Sequence, residues 1–247
     1  MAGHSKWANI KHRKGAQDAK RAKIFSRLVK EISVSVKEGG ADPETNPRLR
    51  LAVQNAKGVN MPKDNVERAI TKASSEGDNL EAMTFEGYAP NGVAVFVECL
   101  SDNNNRTVSN VRAIFNKYGG SLGKNGSLSF VFDSKGVFTF KQPEGFDPEE
   151  FELEVIDAGA DEIETSDDFV TVYTAKEDFG SMQKKLESMN IDLENASLQR
   201  IPVDTKELDV DSALKVLKMI DAFEDDDDVQ NVYHNLELTE DVEKALS

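Results

Sequence analysis

Ten lysines and arginines fall within residues 1–37 (Lys6, Lys11, Arg13, Lys14, Lys20, Arg21, Lys23, Arg27, Lys30 and Lys37), against two acids, Asp18 and Glu31. Side chains of these types make and break no covalent bonds, but they bind phosphate. Each cation that meets a duplex phosphate releases a condensed counterion, so log K falls by about 0.9 per log unit of salt for every contact. Such contacts position a protein and carry little sequence information. Trp7, the single tryptophan, sits among Lys6, Asn9 and Lys11. Its ring either stacks on an exposed base or anchors the segment to its own domain. The candidate nucleic-acid contacts are Lys6, Trp7, Lys11, His12, Arg13, Lys14, Lys20, Arg21, Lys23, Arg27 and Lys30.

Other chemistries find little support. His4, His12 and His234 have no cysteine or carboxylate partner at metal or catalytic spacing, so no metal, no cofactor and no enzymatic activity is expected. The glycine-rich bend at 119–126 lacks the Gly-Lys-Ser/Thr ending of a phosphate loop and leads into an apolar alternation, which reads as a turn. The acids at 224–228 are no EF-hand, because Gln230 stands where glycine is needed and Leu236 where the bidentate glutamate belongs. They read as a solvated loop closing the preceding helix. Residues 135–140 echo the RNA-recognition signature, but on the first strand of their unit. Cys99 lies alone in the apolar run 93–100, a buried thiol suited to a reducing compartment. No window approaches the roughly 20 apolar residues of a membrane helix, and the basic start lacks the apolar core of a secretory signal. A cytoplasmic location and no membrane partner are expected.

The charge is segregated along the chain. Net charge is −15 over 247 residues, yet residues 1–80 carry +7 and residues 81–247 carry −22. This asymmetry predicts a polyanion-binding domain at 1–80 joined to acidic domains with protein partners.

The elements that must position the basic residues follow from hydrophobic period. On a wheel at about 100° per residue, Phe25, Leu28, Val29, Ile32 and Val36 share one face, and Lys20, Lys23, Arg27, Lys30 and Lys37 share the opposite one. Gly39 and Gly40 end this helix. A second helix is predicted over 48–57. A third begins near Pro62, with Asp64 and Glu67 spaced as a capping box. Beyond residue 84 come a strand (92–101), a helix (106–118) and an alternating strand (127–132). Residues 134–203 read as strand, helix, strand, strand, helix, strand, the ferredoxin-like order. A helix over 210–223 and a strand over 229–236 return to the interrupted domain. The predicted fold class is α+β and multidomain: an N-terminal three-helix domain (1–80), then two ferredoxin-like α+β domains, one (134–203) inserted into the other (81–133 plus 204–247). No helix is expected to carry the Asn, Gln and Arg face of a major-groove reader.

Several stretches resemble the YebC/PmpR family. They are Ala2-Gly3-His4-Ser5-Lys6-Trp7-Ala8-Asn9-Ile10-Lys11-His12-Arg13-Lys14, Asn60-Met61-Pro62-Lys63-Asp64-Asn65-Val66-Glu67-Arg68-Ala69-Ile70, Glu86-Gly87-Tyr88-Ala89-Pro90, Asp102-Asn103-Asn104-Asn105-Arg106-Thr107 and Gly119-Gly120-Ser121-Leu122-Gly123. The resemblance spans essentially the whole chain and implies a three-domain protein that acts in bacteria as a DNA-binding transcriptional regulator. It begins at residue 2, which favours a bacterial cytoplasmic member. Mitochondrial relatives look like activators of translation, and bacterial ones are also tied to ribosomes stalled on proline-rich products. The resemblance brings no catalytic residue with it. Two functions stay open: a DNA-binding regulator of transcription, and a ribosomal-RNA-binding translation factor. A third is a protein-interaction module whose basic arm folds onto its own acidic domains.

Overall fold

The computed structural model describes residues 17–76, 79–166 and 168–246, with side chains from Arg21 onward except that of residue 76. The elements run α1 (Gln17–Gly39), α2 (Pro47–Gly58), α3 (Lys63–Glu76), β1 (Glu81–Tyr88), β2 (Ala94–Ser101), α4 (Asn104–Lys117), β3 (Ser121–Leu122) and β4 (Phe132–Lys141). They continue through α5 (Pro148–Ile156), β5 (Ala160–Thr165), β6 (Phe169–Ala175), α6 (Phe179–Ser188), β7 (Leu193–Pro202), α7 (Val210–Glu224), β8 (Val229–His234) and α8 (Glu240–Leu246). The fold is α+β and multidomain. Its described residues gather into two compact units, one of 17–23, 79–133 and 201–246, the other of 24–76 and 134–200.

In the first unit the sheet order is β3-β1-β2-β8. β1 and β2 form an antiparallel hairpin from Glu81↔Ser101 to Tyr88↔Ala94. One face packs Val95 and Val97 against Val111 and Phe115 of α4 and Leu217, Ile220 and Phe223 of α7. On the other face Ala94, Phe96 and Tyr233 meet Leu128 and Phe132. Burial on both faces explains the apolar run of β2, which only the half-buried Glu98 interrupts. The layering is that of a ferredoxin-like domain, with the strands connected differently: the first two are consecutive and adjacent.

The alternation at 127–132 does not make the expected strand; residues 125–131 are turns and β4 starts at Phe132. The reason is Glu86. Its buried carboxylate accepts hydrogen bonds from the backbone N–H groups of Gly126 (2.7 Å) and Leu128 (2.6 Å). Donors that a ladder would need are taken by a side chain, and Gly126, at φ +87°, turns the chain.

In the second unit the chain runs β4, α5, β5, β6, α6 and β7, and its four strands form a sheet ordered β5-β6-β4-β7, the ferredoxin-like arrangement. Phe138, Phe140, Val170 and Val172 pack on Phe151, Met182 and Leu186 of the two helices. The same unit holds most of the helical segment, whose core is Ile32, Leu49, Ala56, Met61, Val66 and Ala69. The two are joined by specific contacts. The Asn55 side-chain amide donates to the Ala196 carbonyl and accepts from the Ala196 N–H, both at 2.9 Å. Gln183 donates to Gln54, and Gly58 lies directly against the backbone of Glu194.

Asn46 ties α1 to α2. Its side chain accepts from Leu49 N–H as N-cap of α2 and donates to the carbonyls of Ser35 (2.7 Å) and Gly40 (2.8 Å). Replacing it by alanine removes a cap and strands a buried carbonyl. We expect Asn46→Ala to lose about 2 kcal/mol in urea unfolding, and Asn46→Asp, which keeps the cap but not the donor, to lose less. The capping box expected at Asp64 and Glu67 is absent, because both residues already lie inside α3. Asp64 faces Arg68 (4.0 Å) and Glu67 faces Lys63 (3.5 Å), as i,i+4 pairs.

Candidate nucleic-acid interface

Lys6, Trp7, Lys11, His12, Arg13 and Lys14 lie outside the described residues. Lys20 lies on α1 with its side chain outside the description; Arg21 is exposed, and Lys23, Arg27 and Lys30 are half-buried. Lys23, Arg27 and Lys30 follow one flank of α1, while Phe25, Leu28, Ile32 and Val36 enter the helical core; Arg21 falls by helical spacing on the apolar side. Two details depart from the wheel. Val29 is 36% exposed, and every residue of 32–36 is buried, Ser33 and Ser35 included. The stretch 32–36 of α1 is therefore enclosed around its circumference, and the basic face is accessible on either side of it, up to Lys30 and again at the exposed Lys37.

Lys23 is engaged by the acidic run. Its Nζ donates to the carbonyl (2.8 Å) and the carboxylate (2.7 Å) of Asp225, the C-cap of α7. The run is thus more than a solvated loop. The Asn110 side chain of α4 donates to Asp226 (3.0 Å). Asp228 is 4% exposed and accepts from Arg106 Nε and Nη2 and from Thr107 Oγ1, at 2.8 to 3.1 Å. Burial opposes ionisation of Asp228. Hydrogen bonds from Arg106, Thr107 and Ser101 outweigh it and hold the carboxyl below the usual carboxylate range. Asn103 caps α4 by accepting from Arg106 N–H (3.0 Å), so the Asp-Asn-Asn-Asn-Arg-Thr stretch is a helix start wired to the end of α7.

The remaining motifs resolve structurally. In the glycine-rich bend, the N–H groups of Gly126 and Leu128 hold the carboxylate of Glu86 where a phosphate loop would hold phosphate. Phe138 and Phe140 are fully buried in the second unit's core, with Phe138 stacked on Phe179 at 4.7 Å, so neither ring faces a nucleobase. Among the described residues no group of three or more His, Cys, Asp and Glu could hold a metal ion. None of their helices is long and apolar enough to cross a membrane. Contrary to the sequence expectation, one helix does carry an Asn and Arg face: Asn105, Ser109, Arg112 and Asn116 of α4 are all exposed. A window of charge taken along the acidic region would have found it, since residues 103–132 contain no acid.

Fold and surface define a multidomain α+β protein whose first helix carries a basic flank, with Lys23 held by an acidic turn. The model of the TACO1/YebC protein N-terminal domain matches residues 5–76, and that of the TACO1/YebC second and third domain matches residues 80–236. The chain belongs to the TACO1/YebC family. It is 54% identical over 239 residues to a probable transcriptional regulatory protein of Amoebophilus asiaticus, covering 96% of this chain and 98% of that one. To a probable transcriptional regulatory protein of Bacillus licheniformis it is 52% identical, covering 96% and 100%. The crystal structure of a conserved hypothetical protein from Aquifex aeolicus superposes with a TM-score of 0.81 at 41% identity, covering 90% of this chain and 93% of that one.

Proposed function

We propose that this chain is a non-enzymatic, cytoplasmic regulator of gene expression that binds DNA through a basic helical domain at 1–80. The contacts are Lys6, Trp7, Lys11, His12, Arg13, Lys14, Lys20, Arg21, Lys23, Arg27 and Lys30. The acidic domains, at 81–133 plus 204–247 and at 134–203, take protein partners. The observation that carries this reading is the concentration of +8 in residues 1–37 of a chain whose net charge is −15, continued along one flank of α1. The names of the relatives support a role in regulation. A second reading, binding of ribosomal RNA by a translation factor, is favoured by the composition of that flank, since lysine-rich phosphate contacts hold a nucleic acid without reading it.

Replacing Lys20, Lys23, Arg27 and Lys30 together by glutamine tests the shared premise. The slope of log K against log salt on a DNA duplex becomes shallower by about 3, with Lys23 contributing least because it must first leave Asp225. An unchanged slope assigns the phosphates to another surface. Sequencing nucleic acid recovered with the protein from cells separates the two readings: promoter fragments support the first, and ribosomal RNA alone transfers the function to the second.

A further inference from the structure

We propose that the outward face of α4 is a second nucleic-acid contact, in which Arg112 meets a phosphate while Asn105 and Asn116 hydrogen-bond base edges. The inference rests on the reading of α1 as a phosphate-binding helix, and extends it to a surface of the acidic region.

Three observations carry it. The first is charge. Residues 81–247 have a net charge of −22, yet residues 103–132 contain four basic side chains, Arg106, Arg112, Lys117 and Lys124, and no acid. Within so acidic a sequence this stretch is the complement of a polyanion.

The second is the composition of the exposed stripe. Asn105, Ser109, Arg112 and Asn116 recur at helical spacing within about 60° of one another on the wheel, opposite the buried Thr107, Val111 and Phe115. Asn and Arg side chains pair bidentately with adenine and guanine edges, and Ser donates and accepts. The Ser109 hydroxyl donates to the Asn105 carbonyl, which holds it close to the helix and leaves the two amides and the guanidinium projecting. Among the described residues the Arg112 side chain has no hydrogen bond or ion pair. Protein interfaces centre on aromatic and apolar anchors. This stripe has none, which selects a nucleic acid over a protein as its occupant.

The third is position. Asp225 holds Lys23 of α1, Asp226 holds Asn110 of α4 and Asp228 holds Arg106 of α4. The start of α1 and the first turns of α4 are thus tied to one turn of one compact unit, which brings Lys23 and α4 close to each other.

Ultraviolet cross-linking of the full-length protein to nucleic acid in cells, with mass-spectrometric mapping of the adducts, tests the proposal. Adducts are expected both within residues 1–37 and on the peptide carrying residues 113–117. Adducts confined to the N-terminal segment overturn this inference and leave the function proposed above standing. Their absence throughout overturns both. In parallel, Arg112→Ala and Asn105→Ala/Asn116→Ala are compared with the parent on a mixed-sequence RNA hairpin and a DNA duplex of equal length. Arg112→Ala is expected to lower affinity severalfold and to make the salt slope shallower by about 1. The asparagine pair is expected to lower affinity at unchanged slope, since amides release no counterion. These residues are exposed, so the thermal midpoints of the variants should match the parent's. Unaltered affinity in both variants overturns the proposal.

Discussion

Replacing Gly58 by alanine detaches α2 from β7 and lowers the stability of the unit built from residues 24–76 and 134–200. On helix propensity alone the change should stabilise by about 1 kcal/mol. The structure reverses the sign. A Cβ at Gly58 would stand 2.0 Å from the carbonyl oxygen of Glu194 and 2.6 and 2.7 Å from its C and Cα. These are backbone atoms of a strand, which no rotamer change can move aside, so α2 must recede. Asn55 then loses both hydrogen bonds to Ala196, one turn away. Steric displacement and two broken hydrogen bonds together cost roughly 3 kcal/mol. Urea unfolding measures the loss, and hydrogen exchange locates it at the Ala196 amide. Full protection of that amide in the variant would show that the close approach does not govern docking.

The second large effect is at Asp228. Its replacement by asparagine at neutral pH weakens the charge-assisted bonds from Arg106 and turns an acceptor into a donor facing other donors, at a cost of about 2 kcal/mol. The pH dependence follows from the direction of its shift. The folded carboxyl ionises below its unfolded value of about 3.9. Its contribution is therefore complete above that value and fades as pH falls through the lower, folded one. The difference in thermal midpoint between parent and Asp228→Asn should be constant from neutral pH down to about 5 and shrink below 4. A gap that persists undiminished into strong acid would mean that Asp228 contributes by shape and not by charge. Glu154 and Asp209 are also held below their usual range, by Lys185 and by Ser212 respectively. Both carboxyls are present in parent and variant, so they leave the difference untouched.

Local periodicity was enough to anticipate much of the fold. Phe25, Leu28, Ile32 and Val36 recur every three or four residues and enter the helical core. In β4 to β7 the change between period 2 and period 3.6 marks each strand and helix. What periodicity misses lies in side chains that compete with the backbone or act across long separations. The alternation at 127–132 is apolar in the right places, but Glu86, some forty residues earlier, claims its amides. Asn55 and Ala196 are 141 residues apart and carry no local sign of each other. Burial of residues 32–36 on all sides likewise depends on contacts outside α1. Of the candidate interface, the basic flank was readable because charge and apolar faces share one helix. The face of α4 was hidden by averaging: a net charge of −22 over residues 81–247 conceals the acid-free stretch within it.

The pairing of Asn55 with Ala196 has a consequence for solubility. β7 is one of the two outermost strands of its sheet, and such a strand offers unpaired peptide groups to any other extended chain, the usual first step of aggregation. Here a side-chain amide stands in for a neighbouring peptide: it donates and accepts at the one residue and adds no strand. The Gly58 end of α2 lies against the adjacent peptide at Glu194. The helical segment thereby covers residues 194–196 of a margin it does not extend, and screens that part of β7 from templating a second copy.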